Sequence, residues 1–296
     1  MNNSLNFSKS EYNESSLFYN EVMNSFQMDF SLYEDLVEIL KPKSVLELGC
    51  GMGRLFPIFA QSTNEIVGID ISDELLSKGR KHCADYINKN VTVSFVNADM
   101  CSFKSNRKYD MVVFALSVLK HLSSHEERFK ALENAKRHLS KDGFIVIDHT
   151  PFLYASRAVN WTDAKKSLVA GWLTEPNVLD GYQWRKIIDG ARDILEWRYN
   201  DSSQTHPEIK FTTYQYGIDT LLGHLNQLGM THENILTEWG VNGLTDKGKR
   251  FIGVASYPGN EYSPKHALIE KVKQRNEILW SDYDLYLEAM AVRHGK

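Results

Sequence analysis

An apolar run followed by three closely spaced glycines stands near the start of the chain, in Val45-Leu46-Glu47-Leu48-Gly49-Cys50-Gly51-Met52-Gly53-Arg54-Leu55. Glycine permits a positive φ and lets a ligand contact backbone that a Cβ would block. Gly49, Gly51 and Gly53 are therefore candidates for a ligand-binding turn between a strand and a helix.

Two carboxylates follow the next two apolar runs of the sequence. Asp70 closes the first of them, and a carboxylate at that place accepts hydrogen bonds from both hydroxyls of a ribose. Asp99 stands just past the second, where it is placed to accept a hydrogen bond from the amino group of adenine. The pair predicts a site for an adenosine-containing ligand at one edge of a sheet.

The spacing of the glycines distinguishes this loop from a dinucleotide-binding loop. A dinucleotide-binding loop follows the pattern GxGxxG, which places its third glycine at position 54 here. Arg54 occupies that position, and the third glycine is Gly53. The spacing therefore argues against an NAD(P)-dependent oxidoreductase, which we keep as the alternative from another enzyme class.

These residues need a framework of strands and helices to bring them together. From Ser44 onward, short apolar runs alternate with amphipathic segments, as in helices packed around a parallel sheet. We predict strands over 44–48, 65–69, 91–96, 109–114 and 144–148, and helices over 53–61, 73–88 and 124–139. Ser124 and Glu127 form a capping box for the last helix. The order predicts an α/β fold with a Rossmann-like, doubly wound sheet.

After residue 150 the pattern changes, and alternating runs over 194–199 and 210–216 predict antiparallel strands. A helix over 218–228, strands over 234–239 and 250–256, and a helix from 264 to about 293 are expected to follow. We divide the chain into an N-terminal helical lid (1–40), a ligand-binding core (41–150), an inserted antiparallel cap (151–215), a completion of the core sheet (216–257) and a C-terminal helical extension (258–296).

The stretch from about residue 29 to residue 148 resembles the class I S-adenosylmethionine-dependent methyltransferases. The resemblance rests on the glycine segment, on Gly68-Ile69-Asp70-Ile71-Ser72 with Leu75-Leu76 following, and on Asp99. The chain is most similar to the bacterial small-molecule branch, which includes glycine and sarcosine N-methyltransferases and amino-sugar N-methyltransferases. The implied cofactor is S-adenosyl-L-methionine.

The resemblance implies which residues contact each part of the cofactor. The residues expected against its methionine part are Gly49, Gly51, Gly53, Ala115 and Leu116. Glu47 is expected to reach the methionine amino group through water, and Arg54 either pairs with the cofactor carboxylate or is a solvated first-turn arginine. The residues expected around its adenosine are Asp70 on the ribose, Asp99 on the adenine amino group, and Ile71 and Met100 beside the ring.

An amine or hydroxyl that accepts a methyl group must lose a proton, so we looked for a general base near the strand ends. His121 follows the fourth strand, and His149 follows the fifth. For each, a hydrogen-bonded structural histidine is the alternative. In the N-terminal lid of the resembling enzymes a tyrosine reaches the methionine end, a place that Tyr19 or Tyr12 fits. Phe30 and Tyr33 are instead expected to pack on the core.

The cap offers aromatic and basic side chains that either line a substrate site or form the cap's own core and dimer contacts. These are Trp161, Trp172, Tyr182, Trp184, Arg185, Trp197 and Arg198. After the fourth strand the chain reads Phe-Ala-Leu-Ser at 114–117, which is not the Asn/Asp-Pro-Pro-aromatic motif of enzymes that methylate planar amino groups. We find no acidic trio of the catechol type and predict no metal.

The composition of the chain indicates which partners and which cellular compartment to expect. The 34 basic residues against 38 acidic ones leave a net charge of −4, so we expect neither nucleic acid nor an acidic membrane as a partner. The first thirty residues lack the pattern of a signal peptide, which makes the cytoplasm the expected compartment. The three cysteines contain no CxxC pair and are expected to be free thiols.

The function that these patterns favour is transfer of a methyl group to nitrogen, or to oxygen, of a small metabolite by in-line substitution. The alternative outside catalysis is an S-adenosylmethionine-binding scaffold without turnover. A homodimer through apolar residues of the C-terminal segment is also expected, unless that segment packs on its own core.

Overall fold

The computed structural model describes residues 22, 25–27, 29–86, 90–149, 160–165, 176–200, 208–239, 248–260, 264–274 and 278–280. Its strands are β1 (Ser44–Leu48), β2 (Glu65–Asp70), β3 (Thr92–Asn97), β4 (Tyr109–Phe114), β5 (Leu139–His149), β6 (Thr162–Asp163), β7 (Tyr182–Asp189), β8 (Arg192–Tyr199), β9 (Ile209–Tyr214), β10 (Thr231–Trp239), β11 (Gly248–Ser256) and β12 (Ile278–Trp280). Its helices are α1 (Phe30–Leu40), α2 (Phe56–Phe59), α3 (Asp73–Tyr86), α4 (His125–His138), α5 (Ile218–Gln227) and α6 (Lys265–Gln274), with 3-10 helices at Val118–His121 and Pro176–Leu179.

The described strands form a large mixed sheet and a smaller antiparallel one. The large sheet has the order β12-β10-β11-β5-β4-β1-β2-β3, in which β3, β2, β1, β4 and β5 are parallel and β11 is antiparallel to β5 and β10. β1 lies between β2 and β4, so the chain order reverses there and leaves a crevice at the carboxyl ends of the strands. The α/β, doubly wound class predicted from sequence is confirmed.

Apolar residues alternate between the two faces of the large sheet, and helices cover both faces. Leu46 and Leu48 of β1 pack with residues of α4 and α5, whereas Val45 packs with residues of α1, α2 and α3. This alternation follows from the two-residue period of a strand. The sheet is therefore a rigid central layer whose carboxyl edge holds the loops of the site.

The second sheet has the order β6-β7-β8-β9, with antiparallel pairing throughout. Its strands fall between β5 and β10 of the large sheet along the chain, so the inserted antiparallel cap predicted from sequence is confirmed. The stacked rings of Trp184 and Trp197 lie on its two central strands, and the buried Ile209 of β9 is paired with Trp197.

Two predicted helices differ from the structure. Residues 51–55 form turns and α2 begins only at Phe56, because Gly51 and Gly53 have positive φ angles that a helix does not contain. The predicted helix from 264 to about 293 is wrong as a single helix: α6 ends at Gln274, and β12 adds to the edge of the large sheet by pairing with β10. A short apolar run such as Ile278–Trp280 does not distinguish helix from strand by pattern.

Candidate active site at the carboxyl edge of the sheet

The loop after β1 turns sharply at its three glycines. Gly49, Gly51 and Gly53 have φ angles of 77°, 55° and 73°, which L-residues with side chains rarely adopt. The amides of Gly49 and Cys50 both donate to the carbonyl of Ile69, at 2.8 and 3.0 Å. The glycine turn is thereby attached to the end of β2.

Asp70, the last residue of β2, holds the same turn through its side chain. Its Oδ2 accepts from the Gly51 amide at 2.8 Å, and its Oδ1 accepts from the Ser72 amide at 2.9 Å. Burial raises the pKa of Asp70, and these backbone donors act in the opposite direction. The carboxylate therefore stands between the first two loops of the crevice, and its contact with a ribose stays a prediction.

Two further loops meet the glycine turn at Gly49. A Cβ built on Gly49 would lie 3.3 Å from Cε of Met100, which follows β3, and 2.2 Å from Cγ2 of Val118, which follows β4. The loops after β1, β3 and β4 are therefore in contact at this glycine, and no larger residue fits there without movement.

Asp99 and Ile71 are partly buried in the loops after β3 and β2. The Asp99 Oδ1 accepts from the amide of Cys101 at 2.9 Å, and its Oδ2 lies 3.5 Å from the Ser102 hydroxyl. These contacts orient the carboxylate within its own loop. Its predicted bond to adenine stays a prediction.

Glu47 points out of β1 into a fully enclosed position. It is 3% exposed, and its Oε2 has no hydrogen-bond partner. Burial raises its pKa to about 8, with the negative charges of Asp29 and Asp70 acting the same way and Arg54 acting against them. A buried oxygen without a partner is costly for the chain alone, so this position suits the approach of a hydrogen-bond donor or cation.

Arg54 has a protein partner in the residue that precedes α1. Its Nη1 and Nη2 donate to the two carboxylate oxygens of Asp29 at 2.6 and 2.5 Å, and Nη1 also donates to the carbonyl of Phe26 at 3.0 Å. The guanidinium lies over the rings of Phe26 and Phe30. Arg54 is thus not a solvated arginine, and any pairing with a cofactor carboxylate would share it with Asp29.

The loop after β4 is held by β5. Ala115 is buried, and the amide of Leu116 donates to Oδ2 of Asp148 at 3.2 Å. The hydroxyl of Tyr33 donates to the same oxygen at 3.0 Å. Tyr33 is fully buried, as its expected packing on the core requires, but its hydroxyl and Asp148 were not among the predicted site residues. The sequence does mark Asp148, because it is a polar residue at the end of the apolar run 145–147, but it was not selected as a site residue.

His121 ends the 3-10 helix after β4 and connects the core to the cap. Its ring hydrogen-bonds the backbone of Thr212 in β9. Burial lowers its pKa to about 4, the neighbouring Lys120 ammonium acts in the same direction, and the bond to Thr212 opposes both. The imidazole is therefore neutral at neutral pH.

Sequence reasoning also missed a buried charge cluster between the core and the cap. Lys120, Lys186 and Asp193 are each at most 5% exposed, and the Lys186 Nζ lies 3.6 Å from Oδ1 of Asp193. Burial lowers the pKa of Lys120 to about 8, while the Asp193 carboxylate opposes that change. The sequence around Lys120, at residues 119–122, does not indicate that this lysine is buried.

His149 lies deeper than a substrate-contacting base would. Its side chain is fully buried, its Nε2 is 2.7 Å from the carbonyl oxygen of Tyr216, and its Nδ1 has no hydrogen-bond partner. Burial lowers its pKa to about 4. These contacts are those of the structural alternative stated for this histidine.

The structure thus gathers the predicted residues of the β1, β2, β3 and β4 loops at one edge of the sheet. Tyr19, Tyr12 and Trp172 lie outside the described residues. In the cap, Arg185 and Arg198 lie over the ring of Trp161, and Tyr182 packs on Tyr199, so these cap side chains contact each other. All three cysteines are free thiols, as predicted. No helix of the described segments is long and apolar enough to cross a membrane.

The segment that forms this edge of the sheet is similar to segments of known proteins. Residues 45–143 match the family described as "Methyltransferase domain". A dTDP-3-amino-3,4,6-trideoxy-alpha-D-glucopyranose N,N-dimethyltransferase from Streptomyces venezuelae is 27% identical over 134 residues, covering 45% of this chain and 54% of that protein. The chain thus spans about half the length of this curated relative.

Two solved structures share the fold over most of the chain. An S-adenosylmethionine-dependent methyltransferase from Clostridium acetobutylicum ATCC 824 has a TM-score of 0.64 and 15% identity, covering 84% of this chain and 99% of the other. The sugar N-methyltransferase KedS8 from Streptoalloteichus sp ATCC 53650 has a TM-score of 0.55 and 16% identity, covering 82% and 92%. Residues 45–143 thus match a methyltransferase domain, and the glycine turn, Asp70 and the strand order described above lie in a fold that the chain shares with S-adenosylmethionine-dependent methyltransferases, in accord with the resemblance read from the sequence.

Proposed function

We propose that this chain transfers a methyl group from S-adenosylmethionine to a nitrogen of a small-molecule acceptor. The observation that carries the proposal is the contact of Gly49 with Met100 and Val118, beside the Gly51–Asp70 hydrogen bond, within the methyltransferase domain. This arrangement brings the loops after four parallel strands to one crevice, where the cofactor of this family has its site. Methyl transfer to nitrogen fits the N-methyltransferases among the similar proteins.

The residues at the crevice fit the two ends of the cofactor. The unpartnered Oε2 of Glu47 is suited to the positive amino group of the methionine part, reached through water. The glycine turn with Ala115 and Leu116 would line that part, and Arg54, already paired with Asp29, would face its carboxylate. Asp70 would bind the ribose, and Ile71, Asp99 and Met100 would surround the adenine.

The cofactor supplies a methyl carbon made electrophilic by the sulfonium, so the protein's main task is to align the acceptor and exclude water. His121 is the candidate that the structure favours for contact with the acceptor, because it lies at the junction of core and cap, whereas His149 is enclosed in the core. Tyr19 of the lid stays a proposed contributor.

A base whose pKa is about 4 removes a proton from an ammonium ion poorly. We therefore assign His121 a hydrogen-bonding role: its unprotonated ring nitrogen accepts from an amine N–H and so orients the lone pair toward the methyl carbon. The bond to Thr212 fixes which nitrogen carries the proton. The buried ammonium of Lys120 disfavours a second positive charge nearby, so the acceptor would bind as the neutral amine.

For the acceptor, we propose an amino sugar or a similar small amine. Support comes from the relative that acts on a dTDP-3-amino sugar, over its matched stretch only.

We also propose that the chain acts in the cytoplasm without nucleic acid or membrane as a partner, in accord with its net charge of −4. A homodimer stays a prediction, although Leu268, expected in its apolar face, is buried in the chain's own core. No observation favours the oxidoreductase or the scaffold.

An activity screen tests the proposal. The chain would be incubated with S-adenosylmethionine and nucleotide-linked amino sugars, free amino sugars, glycine or sarcosine, with product methylation read by mass spectrometry. Each amine is matched with the analogue that carries a hydroxyl at the same carbon. We expect methylation of at least one amine and none of its hydroxyl analogue. Bound cofactor without turnover on the whole panel would support the scaffold, and turnover of the hydroxyl analogues would overturn the choice of nitrogen.

A further inference from the structure

Two consecutive residues other than glycine have a left-handed backbone in the loop after β4. Leu116 has a φ of 45° and Ser117 a φ of 60°. Such angles are uncommon for residues with a Cβ and persist only where surrounding contacts enforce them. The loop therefore needs a support that can be identified among its neighbours.

That support comes from Asp148, near the end of β5. Its side-chain Oδ2 accepts from the Leu116 amide at 3.2 Å, and its backbone carbonyl accepts from the Ser117 amide at 2.9 Å. Asp148 is 2% exposed, so water competes little for these acceptors. Both left-handed residues thus donate a backbone hydrogen bond to the same residue of the neighbouring strand.

Tyr33 of α1 orients the Asp148 carboxylate. Its hydroxyl donates to the same Oδ2 at 3.0 Å, and its ring packs edge-on against Phe59. Because Tyr33 is fully buried in the core, its hydroxyl occupies a fixed position. Helix α1 is therefore connected through Asp148 to the loop after β4.

The shape of this loop determines the position of the 3-10 helix that comes next in the chain. Val118 begins that helix directly after Ser117, and its Cγ2 occupies the space beside Gly49. His121 ends the same 3-10 helix. A change in the backbone at 116–117 would therefore move both the wall of the glycine turn and the candidate acceptor-binding histidine.

We propose that Asp148, oriented by Tyr33, is a positioning residue that holds Leu116 and Ser117 in the left-handed conformation needed for cofactor binding and methyl transfer. It acts on the protein backbone and does not itself contact the cofactor. The inference rests on the proposed function for its effect on catalysis. Its structural part, the local stability of the loop, stands without that function.

The test compares Asp148→Ala, Asp148→Asn and the double variant Asp148→Ala with Ser117→Gly. Asparagine keeps an acceptor oxygen for Leu116, and glycine adopts the left-handed region without strain. We expect Asp148→Ala to weaken calorimetric binding of S-adenosylhomocysteine by about ten-fold or more, as the loss of a charge-assisted hydrogen bond does. Asp148→Asn should stay near wild type, and Ser117→Gly should recover much of the loss.

Hydrogen exchange of the Leu116 and Ser117 amides supplies a readout that needs no ligand. We expect the Leu116 amide to exchange faster in Asp148→Ala than in wild type, by about ten-fold or more, because alanine removes its side-chain acceptor but keeps the backbone carbonyl that Ser117 uses, and we expect exchange in the β1 and β4 amides to stay unchanged. A merely structural role would instead lower global stability and leave both local exchange and affinity unchanged. A folded Asp148→Ala protein with wild-type values for both, or a Ser117→Gly substitution that recovers nothing, would overturn the proposal.

If Asp148→Ala does not fold, Tyr33→Phe serves instead, because it removes one donor and leaves the ring in place. We expect faster exchange at Leu116 and weaker ligand binding in this variant, and wild-type values for both would overturn the proposal. Failure of the proposed function is distinguishable, since it would appear as absence of ligand binding in the wild-type chain while the exchange difference persists.

Discussion

The Gly51 amide donates to the Asp70 carboxylate with 2.8 Å between nitrogen and oxygen, which joins the turn after β1 to the end of β2. A second oxygen of the same carboxylate accepts from Ser72. The residue assigned to the ribose is therefore already fixed in direction by the protein backbone, and ligand binding needs little rearrangement there.

Replacing Asp70 by alanine should weaken S-adenosylmethionine binding by about ten-fold or more, because a hydrogen bond to a charged group contributes about 1.5–3 kcal/mol. Isothermal titration calorimetry measures the effect. Asp73→Ala is the matched control, since Asp73 is an exposed acid in the first turn of α3. Equal affinity of Asp70→Ala and wild type would contradict the ribose assignment.

Replacing Gly49 by alanine should destabilise the chain and impair cofactor binding. The new Cβ would lie 2.2 Å from Val118 Cγ2 at a φ of 77°, and the left-handed backbone alone costs an alanine about 1–2 kcal/mol. Urea unfolding measures the loss. Gly223→Ala is the control, because Gly223 lies within α5 with nothing near its Cβ position, and it should gain up to about 1 kcal/mol. Equal stability of the two variants would contradict the packing described at Gly49.

Binding of S-adenosylmethionine should release a proton from Glu47. Its pKa of about 8 in the free chain means that the carboxyl is largely protonated at pH 7, and a nearby ammonium favours the ionised form. Calorimetry in two buffers with different ionisation enthalpies should show release of up to about one proton per cofactor. Glu47→Gln should bind more weakly and release fewer protons. Identical release from both proteins would show that Glu47 does not respond to the cofactor.

Much of this site was predictable because glycines and strand-end acids carry local signals. The glycine turn, Asp70 and the strands β1 and β4 were predicted from short segments whose spacing decides the structure. The sequence did not predict that Arg54 pairs with Asp29 or that Tyr33 pairs with Asp148, because each pair joins residues far apart in the chain. The extent of α6 was overestimated, because the pairing of β12 with β10 is a tertiary contact that no local pattern reveals.

The stability of the chain should fall as the pH is lowered below 6.5, partly because of His149. Burial lowers its pKa from 6.5 to about 4, so in this range the unfolded chain binds a proton that the folded chain does not. The contribution of the neutral His149 side chain to the stability of the folded chain is complete above pH 6.5 and declines as the pH falls toward 4. It amounts to at most about 3 kcal/mol, since one pKa unit corresponds to about 1.4 kcal/mol.

His149→Gln checks this origin of acid sensitivity, because glutamine can still donate to the Tyr216 carbonyl but does not titrate. Urea unfolding between pH 7 and pH 4.5 should show a shallower loss of stability than in wild type. The exposed His266→Gln is the control and should keep the wild-type slope. A wild-type slope in His149→Gln would mean that other groups cause the acid sensitivity.

Calorimetric titration of the unaltered chain with S-adenosylmethionine and, separately, with NADH tests directly which cofactor the crevice binds. The crevice formed by the glycine turn, Asp70 and Met100 predicts saturable binding of S-adenosylmethionine at one site per chain and none of NADH. Saturable binding of NADH without binding of S-adenosylmethionine would contradict the account.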